Sequence, residues 1–166
     1  MNLQETLETY GITSVWHFTD RSNLESIEKN GLLSLFLLKE KNIDVSCYGA
    51  DALSHSLDRR KGIDKYVHLS IIKSHPMQYI KTINGDIPDP VWLEIDISVL
   101  FENKSLCCSE IANALSARCY DIEKLDEVIN LKGLIYNPKY NNSERKAQLL
   151  VANKIDYDKI KGVHNG

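Results

Sequence analysis

Short β-rich runs alternate with helical stretches too brief to act as regular crossovers, and that alternation limits the folds open to this chain. Residues 13–18, 66–72, 91–97 and 147–152 are rich in β-branched and aromatic side chains and read as strands. The run 91–97 alternates apolar and acidic residues, which gives it one wet face. Asn2 followed by Glu5 has the spacing of a capping box, so residues 2–10 are expected to be a short helix closed by Gly11. A second helix starts from Asp20 or Ser22 and runs to about Lys29, with Asn30-Gly31 as its stop. Residues 49–61 are expected to be helical up to Gly62, and residues 121–130 form a helix capped by Asp121. Residues 131–136 read as a strand with Gly133 at a bulge, and 162–164 as a short last strand. Residues 32–46 show no clean period, and 84–90 and 137–143 have loop composition. The count favours an α+β chain with two abutting small β-sheets and peripheral short helices over a doubly wound parallel sheet.

The chain has 166 residues, which fits a single domain over 1–166 with one real core. Hydrophobic residues make up 43% and charged residues 26%, the balance of a water-soluble globular chain. No apolar run approaches the ~20 residues of a membrane helix, so no membrane partner is expected. The start of the chain lacks a basic segment leading into an apolar one, which points to a cytoplasmic protein. Cys47, Cys107, Cys108 and Cys119 have no metal-ligand spacing. They are expected to be four thiols in a reducing compartment, with no metal bound. If their stretch is a strand, Cys107 and Cys108 point to opposite faces.

The formal net charge of −3 does not announce a nucleic-acid binder. The charge is uneven, however. Residues 51–81 hold Arg59, Arg60, Lys61, Lys65, Lys73 and Lys81 against Asp51, Asp58 and Asp64. Such a patch can meet phosphates, or it can be a solvated helix end and loop.

Five ordered stretches carry a resemblance. They are His17-Phe18-Thr19 with Asn23-Leu24 and Gly31-Leu32-Leu33; Arg59-Arg60; Tyr66-Val67-His68-Leu69 leading to Pro76-Met77; Val91-Trp92-Leu93-Glu94-Ile95-Asp96; and Arg145-Lys146-Ala147-Gln148-Leu149-Leu150-Val151. Over nearly its whole length the chain resembles the DarT family, bacterial toxins that transfer ADP-ribose from NAD onto thymidine in single-stranded DNA. The resemblance implies an ADP-ribosyltransferase-like fold, NAD as substrate and single-stranded DNA as acceptor, with RNA as another possibility. It also implies a toxin or anti-phage role and an antitoxin partner.

The residue types suit that chemistry. NAD loses nicotinamide through a transition state with oxocarbenium character, so the site must grip the ribose, neutralise the diphosphate and present an acceptor. His17 at the end of a strand can donate a hydrogen bond to a ribose hydroxyl, and the resemblance gives Thr19 and Asn23 contacts to ribose or nicotinamide. The plain alternative for His17 is a core imidazole satisfied by backbone. Arg59 or Arg60 supplies a guanidinium that never deprotonates. On a helix the two differ by about 100°, so one faces the site. Tyr66 falls on the NAD side of the family pattern, and Lys65, His68 and Met77 fall on the acceptor side. Strand packing is the alternative for Tyr66, His68 and Met77. Trp92 fits the core or a base stack.

Gln148 stands at the position of the family's catalytic glutamate. An amide keeps the size and the hydrogen bonding. It carries no charge to face a developing cation and cannot take the acceptor's proton. Three accounts are open: an inactivated toxin variant, a binder without catalysis, or transfer of the role to Glu144. The alternative functions are ADP-ribosylation of RNA, protein or a small acceptor, and a non-catalytic NAD-binding module.

Overall fold

The computed structural model describes residues 1–43, 45, 62–73, 85–109, 118–137 and 146–166. Helix α1 spans Leu3–Thr9 and opens on the expected reciprocal cap: Asn2 Oδ1 accepts from Glu5 N, and Glu5 Oε2 accepts from Asn2 N, both at 2.9 Å. Its apolar stripe buries Leu3 and Leu7. Strand β1 is Ser14–Asp20. A 3₁₀ turn over Arg21–Asn23 leads into α2, Leu24–Asn30. Gly31 ends α2 with φ 82° and ψ 177°, a region essentially confined to glycine, and a Cβ there would lie 2.9 Å from the Ile155 carbonyl oxygen. The stretch 32–46, which has no clean period in sequence, contains β2 (Leu32–Leu33) and α3 (Leu35–Glu40), the latter capped by Ser34.

The remaining strands are β3 (Tyr66–Leu69), β4 (Pro90–Asp96), β5 (Ser105–Cys108), β6 (Cys119–Asp121), β7 (Gln148–Ala152), β8 (Lys154–Ile155) and β9 (Ile160–Asn165). Helix α4 is Val99–Glu102 and α5 is Leu125–Val128. One sheet has the order β1-β4-β9 and another β3-β7-β5-β6, while β2 and β8 form a two-stranded ribbon. Among the described residues every pairing is antiparallel. This is the expected α+β arrangement of small sheets with short helices around them. The strand at 162–164 extends over all of β9.

Residues 131–136 depart from the strand expected there. Leu131–Tyr136 is helix α6. Asn130 Oδ1 accepts from Gly133 N at 2.9 Å, which caps the first turn. Leu131 and Leu134, one helical turn apart, are the residues it buries. A local cap and an i, i+3 pair therefore outweigh the β propensity of the run. The expected helix at 121–130 is also shorter, a 3₁₀ turn over Ile122–Lys124 followed by α5. Asp121 stands at the cap position of that turn but makes no side-chain cap hydrogen bond. The helix read at 49–61 lies outside the described residues.

The main core joins both larger sheets. Val15, Leu93 and Ile95 come from the first, and Val67, Leu69, Leu149 and Val151 from the second. A smaller cluster of Ile63, Cys108 and Leu150 lies on the opposite face of the second sheet. Trp92 is 2% exposed and its ring packs beside Phe18, so it is a core residue. Cys107 and Cys108 do face opposite sides, one in each cluster. The expectation of four free thiols is corrected: Cys108 and Cys119 form a disulfide, while Cys107 is a buried free thiol. They are direct partners on neighbouring strands, a closeness that spacing in sequence does not reveal. Cys47 lies outside the described residues.

Candidate active site

A backbone bridge links the two larger sheets. Trp16 of β1 and Ser70, just past β3, exchange both backbone hydrogen bonds, Trp16 N to Ser70 O at 2.8 Å and Ser70 N to Trp16 O at 2.7 Å. His17 follows Trp16 on β1. Its Nδ1 lies 2.8 Å from the His68 carbonyl oxygen, so the ring spans from β1 to β3. A carbonyl only accepts, so Nδ1 carries the hydrogen in this contact.

Neutral His17 therefore offers Nε2 as an acceptor. The side chain is half-buried by area, yet the protein packed around the ring desolvates it. That burial lowers the imidazole pKa; the hydrogen bond to His68 works the other way, and the nearby His68 ring adds to the lowering. The ring is accordingly set up to accept a hydrogen bond from a hydroxyl in its neutral form, where the sequence suggested a donor. Among the described residues the backbone satisfies one nitrogen, as the plain alternative for a core histidine requires, and no hydrogen bond engages the second.

Thr19 and Asn23 come together. Asn23 Nδ2 donates to Thr19 Oγ1 at 3.0 Å, and both residues are 7% exposed. The 3₁₀ turn after β1 makes this meeting possible, and Asp20 holds that turn. Asp20 Oδ1 accepts from Ser22 N and Ser22 Oγ at 2.9 and 2.7 Å, and Oδ2 accepts from Asp89 N at 2.9 Å. Desolvation pushes the Asp20 carboxyl up, but together the bonds from Ser22 and Asp89, helped by Arg21, outweigh it and hold the pKa below its ordinary value. The sequence showed Asp20 as a possible cap; its tie to the 85–89 stretch was not visible there.

On β3, Tyr66 is half-buried and packs on the smaller core cluster. His68 Nε2 donates to the Ile63 carbonyl at 3.2 Å, which commits one of its nitrogens to holding the preceding turn. The Lys65 ammonium lies 5.3 Å from the centre of the Phe36 ring, a cation–π contact against α3. Arg59, Arg60 and Met77, and the alternative acid Glu144, lie outside the described residues.

Gln148 opens β7 and is half-buried. Its partner across the ladder is Cys108 of β5. The β3–β7 ladder ends at Leu69↔Leu149, one residue short of Gln148. The segment from Tyr66 to Ser70 thus pairs with β7, which Gln148 opens, and is bridged to β1, which carries His17. Among the described residues no group of three His, Cys, Asp or Glu side chains is placed to hold a metal ion, and no helix is long and apolar enough to cross a membrane.

Solved structures share this fold. DarTG from Thermosipho africanus, in complex with ADP-ribose, has a TM-score of 0.71 and 20% identity, over 91% of this chain and 43% of that one. DarT from Thermus sp. 2.9, in complex with ADP-ribosylated single-stranded DNA, has a TM-score of 0.70 and 16% identity, over 92% of this chain and 81% of that one. The same Thermus protein in complex with NAD+ gives a TM-score of 0.64 at 16% identity, with the same coverage. The chain thus spans less than half the length of the Thermosipho protein. The fold is the one these DarT structures share. A family model described as ssDNA thymidine ADP-ribosyltransferase, DarT, matches residues 16–164, and the chain belongs to that family. No curated protein matches it by sequence at a meaningful level.

Proposed function

We propose that this chain binds NAD at the junction of its two larger sheets and is built to transfer ADP-ribose to a base, thymidine in single-stranded DNA being the acceptor. The observation that supports this reading is the Trp16–Ser70 bridge, which links the strand of His17 to β3, the partner of the strand that Gln148 opens, in a chain of the DarT family. In this reading the neutral His17 Nε2 accepts from a ribose hydroxyl. Thr19, Asn23 and Tyr66 line the NAD side, and Arg59 or Arg60 meets the diphosphate. His68, Lys65 and Met77 belong to the acceptor side. Residues 1–166 act as one domain, supported by a core that draws on residues from Leu3 to Ile155.

Gln148 sets the rate. Nicotinamide departs with the electron pair of its bond to ribose, and the acceptor must give up a proton as the new bond forms. An amide holds the ribose but takes no proton. Loss of a positioned base lowers the rate by on the order of 10²–10⁴, about 3–5.5 kcal/mol of barrier. The chain is thus an NAD binder with weak transfer, in a cytoplasmic toxin or anti-phage setting with an antitoxin as partner. The amide itself favours a second reading, a module that binds NAD and never turns over.

Calorimetry with NAD, joined to mass spectrometry of DNA and RNA oligonucleotides after long incubation, tests the proposal. NAD binding with slow addition of ADP-ribose to thymidine is expected. NAD binding with every base unmodified selects the module, and modified RNA or protein alone would reassign the acceptor. Absence of NAD binding would overturn the reading.

A further inference from the structure

Cys119, Cys108 and Gln148 stand in one transverse row. Cys119 of β6 is paired with Cys108 of β5, and Cys108 is in turn paired with Gln148 of β7. Directly opposed residues on neighbouring antiparallel strands project to the same face. The disulfide therefore lies beside the Gln148 side chain, on the face where Leu150, Ile63 and Tyr66 pack. The Cα atoms of Cys108 and Cys119 are 4.5 Å apart, the spacing of a non-hydrogen-bonded antiparallel pair.

Gln148 is the first residue of its strand, and the β3 ladder stops one residue short of it. On the other side its backbone pairs with Cys108 of β5. The end of β5 is in turn held to β6, the outer strand of this sheet among the described residues. A covalent clasp at Cys108–Cys119 fixes both strand ends at the row that contains position 148. Neighbouring Cys107 takes no part. It points into the main core, where burial, with Asp121 adding to it, pushes its thiol up to about 11.

We propose that Cys108–Cys119 is a site of thiol–disulfide exchange with a dithiol reductant, and that its redox state sets how firmly Gln148 is held and how tightly NAD binds. Its second half rests on the NAD reading above. Access defines the order of events. Cys108 is fully buried, whereas Cys119 is half-buried on the outer strand. A reductant thiolate attacks the Cys119 sulfur and forms a mixed disulfide. Cys108 leaves with the electron pair of the broken S–S bond and takes up a proton. The second thiol of the reductant then displaces Cys119, which leaves as thiolate and is protonated. The protein gains two thiols, and the dithiol becomes its own disulfide. In a reducing compartment such a pair acts as a sensor of oxidation rather than as a permanent staple.

The test compares the full chain after treatment with oxidised glutathione and after treatment with dithiothreitol. Amide hydrogen exchange over 105–108 and 148–151 reads strand order, and calorimetry reads NAD affinity. Reduction is expected to speed exchange in both segments and to weaken NAD binding about tenfold, within the usual range for coupled sites. Cys119→Ser should match the reduced protein and ignore the redox treatment, and Cys47→Ser should respond like the wild type. Equal exchange in the two states, equal NAD affinity in the two states, or a redox response that persists in Cys119→Ser would overturn the inference. Redox-dependent exchange with NAD bound in neither state would overturn the NAD reading and leave the clasp standing.

Discussion

Replacing Asp20 by Asn separates charge from shape at the turn that places Thr19 and Asn23. Asp20 is 4% exposed. Its oxygens accept from two backbone N–H groups, those of Ser22 and Asp89, and from the Ser22 hydroxyl. An amide keeps one acceptor and turns an NH₂ group towards another donor. One charge-assisted bond is lost and the others become neutral. With such bonds contributing about 1.5–3 kcal/mol each, the loss amounts to roughly 2–4 kcal/mol. In a chain of this size Tm falls by roughly 4–16 °C, at about 2–4 °C per kcal/mol. The sign of the pH dependence follows from the folded carboxyl, which sits below its ordinary value of 3.8. Its stabilisation is complete above about pH 4 and is lost as pH falls through the folded value. Urea unfolding followed by circular dichroism should show a constant gap between wild type and Asp20→Asn at neutral and mildly acidic pH, narrowing below about pH 4. A gap under about 0.5 kcal/mol at neutral pH, within the range of an ordinary surface change, would refute the reasoning. So would a gap that ignores acidification.

Other consequences can be checked in parallel. Because burial lowers the His17 pKa, NAD affinity should stay level from alkaline pH down past 6.5, the ordinary value of the ring, and fall only at lower pH; an affinity that rises on acidification through that range counts against a neutral acceptor. His17→Ala should weaken NAD binding while far-ultraviolet circular dichroism stays unchanged, and unaltered affinity would remove His17 from the site. Gly31→Ala should destabilise the chain by about 1–3 kcal/mol in urea unfolding, because of its backbone angles and the contact with Ile155 O; a neutral result would contradict the sharp stop after α2. Lys161→Ala should shift stability by less than about 1 kcal/mol, since its contact with Glu94 at 3.6 Å is partly exposed.

Much of the fold is legible in the sequence where local chemistry and burial agree. The Asn2/Glu5 cap, the stop at Gly31, the alternating β4 and the apolar β7 all follow from residue type and spacing. Leu131–Tyr136 misleads because its composition suits a strand, while the Asn130 cap and the Leu131/Leu134 pair select a helix. β5 and β6 are short, and β6 carries the mixed pattern Cys119-Tyr120-Asp121, so neither announces itself. The candidate site is read from the sequence by likeness alone. His17, Thr19, Asn23 and Gln148 are visible as a set through their ordered likeness to a family. Ser70, which joins the sheets, and Asp20, which ties the turn to 85–89, act through partners tens of residues away. Sequence spacing has no term for such contacts, and the same holds for Cys108 and Cys119.

The central claim is that an NAD site of the family type is present and lacks its acid at position 148. Gln148→Glu, assayed by nicotinamide release from NAD with a thymidine-containing single-stranded oligonucleotide, measures this directly. The account predicts a gain on the order of 10²–10⁴ over the unaltered chain, with ADP-ribose appearing on the oligonucleotide by mass. An unchanged rate in a folded variant that still binds NAD would contradict it.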